Sequence, residues 1–266
     1  MKRKIPDLLT LSNLLCGTIS ILLSINNEIA LAAVFIGVGV IFDFFDGFAA
    51  RLLGVSSELG KQLDSLADVV SFGVAPGFIV YQIISIGLSI NFIPLMERNG
   101  FYFVFPFIGM IIPLLSTYRL AKFNIDTRQS ENFIGLPTPA NAIFFASLPL
   151  IIKYEFGLDE VLLQDFSNVN WDNFTPAFLY QSVFNLYYQP YLISLAAIIF
   201  SFLLTSELPL FSLKVKNLSW KDNQHRYIFL ALCGLSIVSF RLLGLPLCIL
   251  IYLIYSFVLN LIKRQA

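Results

Sequence analysis

Charged residues are scarce in this chain. Only 13% of its 266 residues are Asp, Glu, Lys or Arg, whereas 57% are hydrophobic, and the mean hydropathy is +0.78. An ordinary soluble domain carries about 25% charged residues, so this composition excludes one. Seventeen basic residues balance seventeen acidic ones, so net charge gives no reason to expect a nucleic-acid partner. The sequence predicts an all-α, polytopic membrane helical bundle.

Cysteine and histidine are also scarce. Cys16, Cys233 and Cys248 are odd in number, lie in apolar runs and show no CxxC spacing. They give no support for a disulfide framework or a zinc site, and we interpret them as small core residues. The one histidine, His225, is expected to be solvated rather than catalytic. No low-complexity tract or clear repeat divides the chain, which we treat as one domain, residues 1–266.

Long uncharged runs predict about eight transmembrane helices. A helix needs ~20 residues to cross ~30 Å of hydrocarbon. Five runs meet that length by themselves: 8–27, 69–96, 99–118, 132–152 and 242–262. Three further spans are expected to use up the remaining apolar sequence: 29–50, about 190–206 and 227–240. The first run lacks a small-residue cleavage pattern, so we expect a retained span rather than a signal peptide.

The positions of lysine and arginine predict the topology. With the amino terminus in the cytoplasm and an even number of spans, fourteen basic residues fall inside the cell. Only Arg98, Lys153 and Arg241 fall outside. Both termini are therefore expected to be cytoplasmic. The longest loop, 153–189, is acidic and rich in aromatic residues, and it is expected along the outer membrane face.

Four aspartates interrupt the apolar pattern near the inner ends of the second and third spans. Asp43 and Asp46 lie three residues apart, and Asp64 and Asp68 lie four apart, so each pair shares one helix face. Folding the two antiparallel helices about the turn between them brings both pairs together. Clustered carboxylates repel one another unless a cation compensates. Oxygen ligands alone suit Mg²⁺ or Mn²⁺, and four carboxylates suffice for two ions.

The residues beside the aspartates favour a phosphate-containing ligand. Gly47, Ala50 and Gly60 leave a wall without bulk, where a nucleotide or a neighbouring backbone can approach. Arg51 offers a planar guanidinium suited to phosphate. A purely structural ion-pair network is disfavoured, because only Arg51 and Lys61 lie nearby. A divalent-cation transporter stays open as a rival; it needs an aqueous path to both faces, whereas these aspartates cluster at one.

The acidic motif extends over one continuous pattern between Asp43 and Asp68. Its form is D-x2-D-G-x2-A-R-x8-G-x3-D-x3-D, and it resembles the signature of the CDP-alcohol phosphatidyltransferase family. The flanking segments resemble bacterial membrane-integral phosphatidylserine synthases, at 5–17, 65–76, 119–124 and 133–140. The resemblance runs over about residues 5–145. Asp7 is a departure, since the resemblance leads us to expect Asn there.

The resemblance implies an enzyme that transfers a phosphatidyl group from CDP-diacylglycerol to L-serine in a bacterial inner membrane. Its active site would face the cytoplasm and use Mg²⁺ or Mn²⁺, with two ions expected. Three aspartates would bind the metals that hold the diphosphate: Asp43, Asp46 and Asp64. Asp68 would complete the second metal shell and act as general base. Five residues would line the CDP-diacylglycerol site: Gly47, Ala50, Arg51, Ser57 and Gly60.

The acceptor site is less defined by the sequence. Arg119 and Asn124 follow the fourth span on the expected cytoplasmic side, and we take them as candidates for binding serine, with a membrane anchor equally open for Arg119. Lys122 and Arg128 are interpreted as anchors of the positive-inside kind. The same chemistry with glycerol 3-phosphate or inositol phosphate as acceptor remains an alternative.

Two polar residues of the first span, Thr10 and Asn13, are implied by the resemblance to touch the nucleotide. Helix packing is an equally open interpretation, because polar side chains also join helices within membranes. Membrane lipids are expected partners of the whole chain, and a homodimer is left open.

Overall fold

The computed structural model describes residues 4–55, 57–125, 133–158, 174, 176–211 and 219–265. This described part contains eleven α-helices: α1 Lys4–Ile25, α2 Ile29–Leu52, α3 Glu58–Asp68, α4 Ala75–Gly87, α5 Phe101–Val104, α6 Ile111–Ile125, α7 Thr138–Leu150, α8 Ala177–Tyr188, α9 Pro190–Thr205, α10 Trp220–Phe240 and α11 Gly244–Gln265. The all-α membrane bundle is therefore confirmed. One small exception is an antiparallel pair of two-residue strands, β1 Phe133–Ile134 and β2 Pro209–Leu210.

Short helical segments of other pitch join several of these helices. A π-helical segment, Val69–Val74, continues α3 directly into α4, and a second one, Ile151–Glu155, extends α7. The 3-10 segments are Leu95–Glu97, Phe105–Met110 and Arg241–Leu243. The first π segment begins immediately after Asp68. The helix is therefore locally wider next to the acidic residues.

Among the described residues, five helical stretches are long and apolar enough to cross a membrane: Lys4–Ile25, Ile29–Leu52, Glu58–Gly87, Phe101–Ile125 and Asn223–Ile262. Helices α8 and α9 meet at a bend of 93° and add a sixth if the pair is one broken span. The number of eight is therefore not confirmed and stays a prediction. The last stretch is 40 residues long, and within it α10 and α11 fold back against each other.

Two predicted boundaries are corrected by the structure. The third span was predicted to begin at residue 69, but its helical stretch begins at Glu58 and includes Asp64 and Asp68. The prediction counted only uncharged residues, whereas these carboxylates face the protein interior and need not end the span. The predicted loop 153–189 contains α8 in its last part, because the spacing of Tyr180, Phe184 and Tyr187 gives a buried helical face. Residues 159–173 and 175 of this loop lie outside the described residues.

The core of the bundle is built around α4. Five of its aliphatic side chains are buried: Ile79, Val80, Ile83, Ile84 and Ile86. Helices α1, α2, α6, α7, α8 and α9 all contact α4. In a bilayer such contacts depend on close packing, since lipid is as apolar as the side chains themselves. Asp64 and Asp68 of α3 lie on the same continuous helical stretch as α4, joined to it by the π segment.

The first helix lies against both helices that carry the aspartates. It packs along α2 and also contacts α3 and the π segment after it. Gly17 allows this approach, because a Cβ atom there would lie 2.5 Å from Ser71 Oγ and 2.7 Å from Ser71 Cα. Gly39 of α2 plays the same part, with its Cβ position 3.0 Å from Asn13 Oδ1. The acidic region is thus formed by three helices rather than by α2 and α3 alone.

Candidate active site

The aspartates of α2 and α3 converge as the sequence predicts. Asp43, Asp64 and Asp68 each present a carboxylate oxygen, and these atoms all lie within 4.8 Å of one another. Asp64 Oδ1 is buried and has no hydrogen-bond partner among the described residues. A buried carboxylate oxygen without a donor is costly unless a cation satisfies it. The all-oxygen donor set therefore fits a hard divalent ion such as Mg²⁺ or Mn²⁺.

Asp46 lies one turn further along α2 and outside this group of three. It is only 6% exposed, and its Oδ2 accepts a hydrogen bond from the Thr10 hydroxyl at 2.6 Å. Its charge acts on Asp43, Asp64 and Asp68. All four predicted metal ligands thus share one electrostatic site, with Asp46 held from the side of α1.

Asp68 is also held by α1. Its side chain is 9% exposed, and its Oδ1 accepts a hydrogen bond from Asn13 Nδ2 at 3.3 Å. The Ser71 hydroxyl in turn donates to the Asn13 carbonyl oxygen at 2.9 Å. Thr10 and Asn13, which the resemblance assigned to the nucleotide, therefore contact carboxylates in the structure. Their spacing of three residues puts both on one helix face, which could have indicated a shared role.

A cavity of about 460 Å³ opens beside Asp46 and Asp64, which is the size of a small-ligand site. Four of the five residues predicted to line the CDP-diacylglycerol site lie in its wall: Gly47, Ala50, Ser57 and Gly60. A Cβ atom at Gly47 would meet no atom within 4 Å. Arg51 does not line this cavity and is exposed near the end of α2.

The wall of the cavity includes residues that the sequence analysis did not assign. Lys61 and Asp7 are two of them, and the Lys61 ammonium lies 3.5 Å from the Asn124 carbonyl oxygen. The Ser57 hydroxyl accepts a hydrogen bond from the Gly60 N–H at 2.9 Å, which caps α3. Lys61 places a positive charge beside the small residues of the motif. The position of Lys61 directly after Gly60 of the motif could have indicated that it lies in the cavity wall.

Arg119 lies beside the acidic residues. It comes from α6, is 7% exposed and interacts electrostatically with Asp68 and with Tyr252 of α11. Its guanidinium carbon is 6.0 Å from the centre of the Phe123 ring. Its Nε atom is buried and has no hydrogen-bond partner among the described residues. A buried guanidinium with an unused donor is suited to bind an anion. Its electrostatic interaction with Tyr252 of α11 was not foreseen from the sequence.

The other candidates near Arg119 have different partners. The side-chain amide of Asn124 donates to Ser65 Oγ at 2.8 Å and so connects α6 to α3. Lys122 forms an ion pair with Glu207 at 2.6 Å. Arg128, the second predicted anchor, lies outside the described residues. Arg119 is therefore brought to the acidic site, whereas the side chain of Asn124 serves a contact between helices.

The part of the chain that carries this site resembles known proteins. Residues 3–169 match the family model described as CDP-alcohol phosphatidyltransferase. A CDP-diacylglycerol–serine O-phosphatidyltransferase of Bacillus subtilis is 36% identical over 163 residues, which are 60% of this chain and 79% of the relative. The corresponding enzyme of Helicobacter pylori is 34% identical over 183 residues, 64% of this chain and 72% of the relative.

An archaeal relative has a related name. The archaetidylserine synthase of Methanothermobacter thermautotrophicus is 36% identical over 148 residues, which are 55% of this chain and 58% of the relative. The family match covers more than half of the chain and includes the four aspartates, the cavity wall and Arg119. This chain belongs to the CDP-alcohol phosphatidyltransferase family.

Proposed function

We propose that this protein transfers the phosphatidyl group of CDP-diacylglycerol to L-serine and releases phosphatidylserine and CMP. The observation that carries the proposal is the convergence of Asp43, Asp64 and Asp68 beside a cavity lined by the small residues of the motif. The names of the relatives from Bacillus subtilis and Helicobacter pylori support serine as the acceptor. The reaction belongs at the cytoplasmic side of a bacterial inner membrane, with both termini cytoplasmic.

The aspartates have distinct roles in this proposal. Asp43, Asp46 and Asp64 would hold Mg²⁺ or Mn²⁺, and Asp68 would complete the shell of a second ion. Such ions neutralise the charge of a diphosphate and so make CMP a better leaving group. The unpaired Asp64 Oδ1 supports an ion at this place.

The transfer itself exchanges one phosphorus–oxygen bond for another. The serine hydroxyl oxygen forms a bond to the phosphorus that carries diacylglycerol, while the bond from that phosphorus to CMP breaks. CMP departs with the bonding electron pair, and the carboxylate of Asp68 takes the hydroxyl proton. A positioned base of this kind contributes about 10²–10⁴-fold to the rate.

The cavity supplies the nucleotide site of CDP-diacylglycerol. Gly47, Ala50 and Gly60 leave room for the nucleotide against helices α2 and α3. Lys61 lies in the same wall and offsets part of the diphosphate charge. Arg51 lies outside the wall and would meet a phosphate only from the exposed side of α2.

Arg119 supplies the acceptor site. Its buried guanidinium interacts with Asp68, so a carboxylate bound to it would bring the serine hydroxyl towards the base. An acceptor that also carries a phosphate, such as glycerol 3-phosphate or inositol phosphate, would need more cationic contacts than this arginine provides. We therefore favour serine.

The test uses the full chain purified in lipid nanodiscs with CDP-diacylglycerol and Mg²⁺ or Mn²⁺. Radiolabelled L-serine, glycerol 3-phosphate and inositol phosphate are supplied separately, and the lipid product and CMP are quantified. We expect phosphatidylserine and CMP in equal amounts, and we expect Asp64→Asn to lower both turnover and CDP-diacylglycerol binding. Product from glycerol 3-phosphate but none from serine would refute the acceptor while leaving the transferase chemistry intact.

A further inference from the structure

Helix α1 presents two hydrogen-bond donors to the acidic site. The Thr10 hydroxyl lies 2.6 Å from Asp46 Oδ2, and Asn13 Nδ2 lies 3.3 Å from Asp68 Oδ1. Both side chains are almost fully buried, Thr10 at 4% and Asn13 at 0% exposed. Each donor therefore meets one carboxylate of α2 or α3 inside the protein, where a hydrogen bond is stronger than it is in water.

The Thr10 bond is selective in its direction. The hydroxyl has a single hydrogen, and two acceptors lie within reach, Asp46 Oδ2 at 2.6 Å and the Pro6 carbonyl oxygen at 3.1 Å. A carboxylate is the stronger acceptor, and 2.6 Å is the length of an O–H···O bond to an ionised oxygen. The Thr10 hydroxyl therefore donates its hydrogen bond to Asp46 Oδ2 rather than to the Pro6 carbonyl oxygen.

The rest of α1 is fixed in a way that holds these donors in place. The Ser71 hydroxyl binds the Asn13 carbonyl oxygen at 2.9 Å, and Gly17 permits direct contact with the backbone of Ser71. Gly39 of α2 packs against the other side of Asn13, where a Cβ atom added at Gly39 would lie 3.0 Å from Asn13 Oδ1. Contacts with α2 and with the π segment thus fix the position of α1.

We propose that α1 is a positioning element for the acidic site, in which Thr10 orients Asp46 and Asn13 orients Asp68 before any nucleotide binds. The inference rests on the proposed metal-dependent function. Four neighbouring carboxylates repel one another, and side chains without a hydrogen-bond donor would rotate away from one another. A donor on one oxygen fixes the plane of the carboxylate and lowers that repulsion. Partners of this kind change metal affinity about 10–100-fold when they are removed.

The test measures Mn²⁺ binding by electron paramagnetic resonance on the full chain in nanodiscs, with no nucleotide present. Thr10→Val removes the hydroxyl and keeps the shape of the side chain, while Thr10→Ser keeps a hydroxyl. Asn13→Ala removes the amide donor. Ser20→Ala is the matched control, because Ser20 lies on the same buried face of α1 and its hydroxyl has no hydrogen-bond partner among the described residues. Circular dichroism and the melting temperature verify that each variant is folded.

We expect Thr10→Val and Asn13→Ala to raise the Kd for Mn²⁺ about tenfold or more. Thr10→Ser should stay close to the parent, and Ser20→Ala should be indistinguishable from it. If Asn13→Ala does not fold, the comparison of Thr10→Val with Thr10→Ser carries the test.

Three results would overturn the inference. Parent-like Mn²⁺ affinity in both Thr10→Val and Asn13→Ala is the first, and an equal loss in Ser20→Ala is the second, since that would reflect helix packing alone. The third is a raised KM for CDP-diacylglycerol in Thr10→Val with unchanged Mn²⁺ affinity, because Thr10 would then serve only the nucleotide. Each of these leaves the metal-dependent transferase standing, whereas a parent protein that binds no Mn²⁺ would overturn both proposals.

Discussion

Replacement of Arg119 by lysine tests the acceptor site most directly. The side chain is 7% exposed, and its buried Nε has no hydrogen-bond partner within the described part of the chain. Arg119→Lys keeps a positive charge next to Asp68 but removes the planar pair of donors that matches a carboxylate. Arg119→Ala would be less informative, because it would empty a buried position beside Phe123 and disturb packing.

The size of the effect follows from the loss of one bond. A hydrogen bond to a charged group contributes about 1.5–3 kcal/mol, and every ~1.4 kcal/mol corresponds to a tenfold change in affinity. The serine KM should therefore rise roughly tenfold or more in Arg119→Lys. The KM for CDP-diacylglycerol should change much less, since Arg119 does not line the cavity beside Asp46 and Asp64.

The assay varies serine at saturating CDP-diacylglycerol and repeats the measurement with ethanolamine, which has the hydroxyl and ammonium groups but no carboxylate. The parent should prefer serine, and Arg119→Lys should lose much of that preference. Lys122→Gln is the control, because Lys122 is a cation of the same helix and forms its ion pair with Glu207. An unchanged serine KM in Arg119→Lys would refute the reasoning and place the serine carboxylate elsewhere.

The remaining predictions concern the base, the packing of α1 and the topology. Asp68→Asn should lower turnover by about 10²-fold or more, while CDP-diacylglycerol binding stays detectable. Glu58 is an exposed acid of the same helix, and Glu58→Gln should keep near-parent activity. Near-normal turnover in Asp68→Asn would contradict the assignment of Asp68 as the base. Gly17→Ala should lower stability by about 1–3 kcal/mol, read as the melting temperature, because the new Cβ would lie 2.5 Å from an oxygen atom. Gly37→Ala meets nothing within 4 Å and should not destabilise, and equal melting temperatures would contradict the close approach. An engineered cysteine at position 170 should react with an impermeant maleimide from outside the cell, and labelling from the cytoplasm alone would reverse the topology.

The sequence was sufficient for the features that depend on neighbouring residues. Low charge and long apolar runs identified a membrane bundle, because the bilayer requires helices of a minimum length. The spacing of Asp43 with Asp46, and of Asp64 with Asp68, fixed which carboxylates share a helix face, since the helical period is a local property. Gly47 and Gly60 were predicted to leave room beside the aspartates because they lack side-chain bulk, and both lie in the cavity wall. Span boundaries were less accurate, because a buried carboxylate interrupts a hydropathy pattern without ending the helix.

Only the tertiary structure decided which distant side chains meet these carboxylates. Thr10 and Asp46 are 36 residues apart, and Asn13 and Asp68 are 55 apart, so no helical period relates them. Their contact depends on how closely α1 approaches its neighbours, which Gly17 permits through the absence of a single Cβ atom. The electrostatic interaction of Arg119 with Tyr252 depends likewise on the placement of the last helix. Periodicity sets the face that a residue occupies, whereas the packing of whole helices sets what that face touches.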